Sequence, residues 1–231
     1  MSRLLGLPPN VRACLFDLDG VITQTVTVHA RAWKQAFDEF QIPFDEVADY
    51  DAYVDGKPRG DGVRSVLRGR HIEPKVDLVE RIAARKDELF LQFIREHGVQ
   101  TYSGSIRYIH QARDTGKKIA VVSSSKHTTD VLEAAGLARF FDAQVDGNVA
   151  EREHLHGKPA PDTYLRAAEM LGADPADAAV YEDAIAGVEA GRAGGFGIVV
   201  GIDRAGHAAA LKSHGAGVVV KDLAELLREA T

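Results

Sequence analysis

The stretch Cys14-Leu15-Phe16-Asp17-Leu18-Asp19-Gly20-Val21 is an apolar run that ends in two carboxylates two positions apart. A run of this length reads as a buried strand, and if the extended geometry continues, Asp17 and Asp19 point to the same side. Two carboxylates about 4 Å apart repel by roughly 4 kcal/mol at an effective dielectric near 20, so a cation or a proton belongs beside them. The alternative is a solvated turn, since Asp and Gly commonly end strands.

Working outward, similar runs recur at Lys118 to Ser123, Ala143 to Val145, Ala178 to Tyr181, Ile198 to Val200 and Val218 to Val220. Amphipathic stretches separate them, near His127 to Ala135, Pro161 to Leu171, Ala184 to Ala193, Ala205 to His214 and Leu223 to Glu229. This alternation predicts an α/β fold, a doubly wound and mostly parallel sheet with helices on both faces. Val26 to His97 breaks the rhythm with helical periodicity and no strand. Val26 to Phe40 reads as one helix and Lys75 to Glu96 as a longer one, with Val79, Ile82, Ala83, Leu89, Phe90 and Phe93 at three-and-four spacing. We therefore expect a core domain of residues 1–24 and 99–231 and an inserted helical cap of residues 25–98. The cap would lie over the carboxyl ends of the strands, where open parallel sheets keep their ligands.

Composition narrows the function classes. The 231 residues carry 28 Lys+Arg against 34 Asp+Glu, a net charge of −6, which argues against indiscriminate binding to nucleic acid. Cys14 is the single cysteine, so no intrachain disulfide or cysteine-rich zinc site forms, and a reducing, cytoplasmic setting is expected. No apolar run approaches a membrane span and the amino end lacks signal-peptide character, so no membrane association is expected. Gly191 to Gly201 lacks the G-x-G-x-x-G spacing of a dinucleotide site.

Three further strand ends carry chemistry. Glu182-Asp183 follows Ala178 to Tyr181, and parallel strands deliver this pair to the same sheet edge as Asp17 and Asp19, in a set suited to Mg²⁺, which prefers oxygen ligands. The pair could equally open the next helix, at its positive end. Ser123-Ser124-Ser125-Lys126 precedes a predicted helix, so its hydroxyls and amides can hold an anion or merely cap that helix. Gly157-Lys158-Pro159-Ala160-Pro161-Asp162 sets a lysine in a stiff turn. His154 and His156 read as an exposed loop.

The order of these motifs resembles the haloacid dehalogenase superfamily, specifically its β-phosphoglucomutase-like branch, over nearly the whole chain. The resemblance implies that Asp17 is the nucleophile that forms an aspartyl-phosphate and Asp19 the general acid/base. It implies that Ser123, Ser125 and Lys158 bind phosphate, and that Asp17, Asp19 and Asp183, assisted by Glu182, hold Mg²⁺, Asp19 through its backbone carbonyl. Gly20 to Thr25, His29 and Trp33 look like the hinge and first cap helix of that branch. Val54-Asp55-Gly56-Lys57-Pro58-Arg59 resembles its substrate-specificity loop, with Arg59 at a distal-phosphate position, and Arg85-Lys86 matches a basic cap position. Thr25, His29, Trp33, Gly56, Arg59, Lys86 and Lys126 are thus the implied substrate contacts, although His29, Arg59 and Lys86 could also be solvated surface residues. Departures from the pattern are His127 in place of an asparagine, Gly157 in place of a serine before the lysine, and no proline before Gly104.

The implied activity is Mg²⁺-dependent transfer of phosphate between C1 and C6 of a hexose through a sugar bisphosphate, by a monomer whose partner is a small sugar phosphate; the alternative is a sugar-phosphate phosphatase. A receiver-like signalling domain also uses acidic residues, Mg²⁺ and an aspartyl-phosphate, but such chains are shorter and carry no inserted cap.

Overall fold

The computed structural model describes residues 3–229. Six strands form one all-parallel sheet: β2 (Ala13–Phe16), β3 (Lys118–Val122), β4 (Ala143–Val145), β5 (Ala178–Glu182), β6 (Ile198–Ile202) and β7 (Val218–Val220), in the order β4-β3-β2-β5-β6-β7. The remaining pair, β1 (Arg3–Leu4) and β8 (Arg228–Glu229), is a short antiparallel ribbon. In β2 every residue is buried, because helices cover both faces. Successive side chains leave opposite faces of a strand. Cys14 and Phe16 accordingly join one hydrophobic core with Tyr108, Val131 and Tyr181, while Ala13 and Leu15 join a second with Val122, Tyr164 and Val188.

The helices of the sheet layer are α4 (Ser103–Asp114), α5 (Thr128–Ala134), α6 (Gly147–Arg152), α7 (Asp162–Leu171), α8 (Ile185–Ala193) and α9 (Ala208–His214). Between β2 and α4 the chain forms α1 (Val26–Glu39), a π-helical turn at Tyr50–Val54, α2 (Arg59–Gly69) and α3 (Val76–His97). These share a third core built on Trp33, Phe37, Tyr50, Val63, Leu67 and Ile82. At about 1.5 Å per residue, the 22 residues of α3 reach about 33 Å. Its Val79, Ile82 and Ala83 lie in this third core, whereas Leu89, Phe90, Phe93 and Ile94 belong to a sheet core. Gly98, at φ +71°, ends the helix in a conformation other residues adopt at a cost. The two crossings between helical insert and sheet run side by side: Gln24 N donates to Gln100 O (2.8 Å) and Tyr102 N to Ile22 O (2.9 Å).

Two sequence expectations need correction. Leu223 to Glu229 is not a helix: Leu223–Leu226 is a 3-10 turn capped by Asp222, after which the chain extends to pair with β1. The strand partner is distant in sequence, so local periodicity carried no sign of it. The helix expected from Ala205 begins at Ala208, because Gly206 sits at φ +84°. No helix among the described residues is long and apolar enough to cross a membrane.

Candidate active site

The register of the central strands builds the site. Phe16 pairs with Tyr181 across β2 and β5, and with Val121 across β2 and β3. The next residue of each strand therefore emerges at one edge: Asp17 between Glu182 and the Val122–Ser123 end of β3. Asp17 N donates to Tyr181 O (3.0 Å), extending the ladder by one residue and fixing where the Asp17 carboxyl leaves the sheet.

Asp17 and Asp19, expected on one side had the extended geometry continued, face different surroundings, because the strand ends at Phe16. Asp17 Oδ1 accepts from Lys158 Nζ, which also donates to Glu182 Oε1 and to Val122 O (3.3 Å). Tyr164 Oη donates to the same Glu182 oxygen (2.8 Å), and Glu182 Oε2 accepts from Ala184 N (3.3 Å). Lys158 and Glu182 are buried, so each relies on the other for charge compensation. Burial works to lower the Lys158 pKa, but Asp17 and Glu182 hold it above the ordinary lysine value. Asp17 is pushed well above its ordinary range by burial and by the charges of Glu182 and Asp19, with Lys158 opposing.

One carboxylate of the group lacks a cation. Oxygens of Asp17, Glu182 and Asp183 lie within 4.8 Å of one another, and Asp183 has no cationic partner among the described residues. Burial and the neighbouring charges of Asp55, Asp17 and Glu182 push Asp183 well above the ordinary carboxyl range. A divalent, oxygen-seeking cation fits this deficit, with Asp17 and Asp183 as its accessible ligands, since Glu182 already spends its oxygens on Lys158, Tyr164 and Ala184. Gly20, at φ +82°, allows the close approach: a Cβ there would overlap the Asp183 carboxylate.

Asp19 turns toward the helical insert. Its Oδ1 accepts from Thr25 Oγ1 and lies 3.2 Å from His29 Nε2, while Ser123 Oγ is 3.5 Å from Oδ2. Burial works to raise Asp19, but His29 and Thr25 outweigh it and hold the carboxyl down at about 2. Behind it, His29 Nδ1 lies 2.8 Å from Lys86 Nζ, and the His29 ring stacks on Phe90 at 4.0 Å between centroids. Burial holds His29 below its ordinary value, with Lys86 adding to the effect. The Lys86 ammonium lies 5.4 Å from the Trp33 ring and 4.7 Å from that of Phe90.

A cavity of about 1200 Å³ opens beside these groups. Asp17, Asp19, His29, Trp33, Gly56, Arg59, Lys86, Ser123, Ser125, Lys126, Lys158 and Asp183 border it. Thr25 does not; it immediately precedes α1, in contact with Asp19. Glu182 is fully buried behind Lys158. Ser123 Oγ accepts from Ser125 N, and Ser125 Oγ from His127 N (both 3.1 Å), folding the serine loop at the head of α5. Lys126 pairs with Glu151 at 2.6 Å. Arg59 pairs with Asp87 of α3, whose Oδ2 is also 3.2 Å from His127 Nε2. Asp87, Tyr164 and Asp55 escaped the sequence reading. Tyr164 belongs to an ordinary amphipathic helix, and the partners of Asp87, Arg59 and His127, are distant in sequence. Asp55 lies in the loop between the π-helical turn and α2, where its charge gives no sign of burial; burial and Glu182 push it up to about 7.

Residues 11–195 match the family model described as haloacid dehalogenase-like hydrolase. A β-phosphoglucomutase of Mycobacterium tuberculosis is 50% identical over 98% of this chain and 95% of its own length. The β-phosphoglucomutase of Bacillus subtilis is 34% identical over 83% of this chain and 84% of its own. A crystal structure of β-phosphoglucomutase from Clostridium difficile superposes with a TM-score of 0.82 at 25% identity, covering 94% of this chain and 93% of that one. The chain belongs to the haloacid dehalogenase-like hydrolase family, in its β-phosphoglucomutase-like branch.

Proposed function

We propose that the protein is a β-phosphoglucomutase-type enzyme that moves phosphate between C1 and C6 of a hexose, with residues 25–98 as a cap over a core of residues 1–24 and 99–231. The observation that carries this reading is the divergence of Asp17 and Asp19: one carboxylate sits among Lys158, Glu182 and Asp183, the other under Thr25 and His29, and both border one cavity with Arg59 on its insert side. The relatives named β-phosphoglucomutase support the choice of substrate class.

In this reading Asp17 is the nucleophile. Its charge, disfavoured by burial and by neighbouring carboxylates, is supported by Lys158, and Mg²⁺ held by Asp17, Asp183 and the Asp19 carbonyl would neutralise the transferring phosphate and support the charged form of Asp17. Ser123, Ser125 and Lys158 bind the transferring phosphate. Asp19, depressed to about 2, begins as the base: it takes the proton of the sugar hydroxyl that attacks the aspartyl-phosphate. After the sugar bisphosphate turns over, Asp17 attacks the other phosphate and Asp19 returns the proton to the departing sugar oxygen. Thr25 and His29 orient the Asp19 carboxyl, Trp33, Gly56 and Lys126 shape the wall, and Arg59 takes the distal phosphate; Lys86, the partner expected for Arg59 there, is buried against His29 and supports it instead.

Incubation with β-glucose 1-phosphate, Mg²⁺ and a trace of the bisphosphate tests the proposal. Rapid formation of glucose 6-phosphate is the expected result. Stoichiometric inorganic phosphate without isomerisation would replace the mutase by a sugar-phosphate phosphatase using the same covalent step.

A further inference from the structure

Two glycines occupy the seam between the helical insert and the sheet, one on each side. Gly56 lies at φ +67°, its carbonyl accepts from Ser124 Oγ (2.8 Å), and a Cβ on it would stand 3.0 Å from Ala184 Cβ. Gly157 is different. It is not among the glycines with positive φ, so its backbone conformation is open to any residue. What excludes a side chain is space: a Cβ on Gly157 would overlap Pro58 Cγ and lie 2.8 Å from Cδ.

We propose that Gly157 is the seat on which Pro58 lands when the cap closes, and that this contact directs the phosphoryl group to a sugar hydroxyl rather than to water. The proposal rests on the phosphoryl-transfer reading above. A glycine without a left-handed backbone is required at position 157 only in a state where the proline ring rests on it; with the insert swung away, a side chain would meet no proline. Pro58 is well suited to the contact, because its ring fixes φ, at −55°, immediately before α2. The neighbours of the pair give the contact its consequence. Lys158 follows Gly157 and Arg59 follows Pro58, so one contact sets the spacing between the cation at Asp17 and the cation on the insert. With the Gly56–Ser124 hydrogen bond and the Gly56–Ala184 approach, it brings three core loops against one loop of the insert.

The chemistry at stake is one step with two acceptors. The bond from phosphorus to the Asp17 carboxylate oxygen breaks, and a bond forms to either a sugar or a water oxygen, with the acceptor's proton passing to Asp19. Exclusion of water by a closed lid decides between them.

The test compares Gly157→Ala, Pro58→Ala and the double variant. Alanine at 58 keeps only Cβ, which lies 3.5 Å from the built Cβ of residue 157, an ordinary contact. The measured quantity is the ratio of glucose 6-phosphate formed to inorganic phosphate released, with phosphoryl uptake from acetyl phosphate measured alongside. In Gly157→Ala we expect the ratio to fall about tenfold, because water reaches the opened site, with uptake from acetyl phosphate unchanged. The double variant should recover the ratio. An unchanged ratio in Gly157→Ala, failure of the double variant to recover it, or a parallel loss of acetyl phosphate uptake overturns the proposal. Should the wild-type protein release phosphate without isomerising, the mutase reading fails and the contact is judged by small-angle scattering with Mg²⁺ and glucose 1,6-bisphosphate. A larger radius of gyration in Gly157→Ala, reversed in the double variant, then supports the seat, and equal radii reject it.

Discussion

The rim of the sheet and the seam beneath the helical insert hold their polar groups by different means. At the rim, Asp17, Ser123 and Glu182 are carried by paired parallel strands whose register leaves little freedom, and Lys158 and Tyr164 close the arrangement from behind. At the seam, Arg59 and His127 converge on Asp87 and Lys86 reaches His29, from helices and loops apart in the chain. Backbone hydrogen bonds position the first group, whereas side chains position each other in the second. Substitutions at the rim should accordingly be severe and hard to compensate, and those at the seam graded and dependent on the substrate.

The largest effect belongs to the residue through which the proposed chemistry passes. Asp17→Asn should lower turnover by about four orders of magnitude, an amide being a poor nucleophile. Retained phosphoryl incorporation into that variant, followed with a labelled donor, would break the comparison at its strongest point. Lys158→Met comes next. It leaves Asp17 and Glu182 as buried like charges without their shared cation, which should cost about 3–5 kcal/mol of stability together with most of the activity. Denaturant unfolding measures the stability loss. Adding Glu182→Gln to Lys158→Met should return part of it, by removing one uncompensated charge; no recovery would mean that the rim is held by packing alone.

This division also explains what could be read from sequence. Strand residues are buried on both faces, so Ala13 to Phe16 and Ala178 to Tyr181 stand out as apolar runs, and the acids that follow them mark one edge by parallel topology alone. Lys158 carries weight in sequence only through the motifs around it, yet it lies in contact with Asp17. Residues of the seam are polar and lie on amphipathic helices, where a solvated face is the ordinary reading. Lys86 sits in the buried stripe of α3 among Ile82, Ala83, Leu89 and Phe90, so its spacing gave a sign of burial that the preference of lysine for water obscured. Asp87, one position further, is defined by Arg59 and His127, and no local pattern announces such a partnership. The ribbon of β1 with β8 was hidden for the same reason.

A substrate-dependent effect is expected of Arg59→Ala. Isomerisation of a sugar phosphate should fall about thirtyfold, the loss of one charge-assisted phosphate contact of about 2 kcal/mol, while hydrolysis of acetyl phosphate, which has no distal phosphate, changes little. Equal losses on both substrates would move Arg59 from the distal phosphate to a general part in holding the insert in place. Asp87→Asn refines the comparison, since freeing Arg59 from its carboxylate partner should change KM for the sugar phosphate more than kcat.

The smallest effect concerns stability at the seam and depends on pH. Burial pulls Lys86 down to about 7, with Asp19 opposing and Arg59 adding to the effect, against an ordinary value of 10.5. Between those two values the unfolded chain holds the Lys86 proton and the folded chain does not, so unfolding takes up a proton. Through this group, stability must therefore rise as pH climbs from about 7 to about 10.5, and it is fully reduced below that window. Carboxyls raised by burial, Asp55 among them, act in the opposite sense, so the informative quantity is the difference between Lys86→Met and the wild-type protein. Methionine matches the length of the side chain without the charge, and should stabilise the fold by about 1–3 kcal/mol at pH 6 and by about half of that or less at pH 9. Activity should fall in the same variant, because His29 loses its Lys86 partner and Asp19 a nearby positive charge. Equal stabilisation at both pH values would show that Lys86 keeps its proton throughout. The ammonium would then be compensated at the seam as completely as Lys158 is at the rim, and the contrast between the two regions would disappear for this pair of lysines.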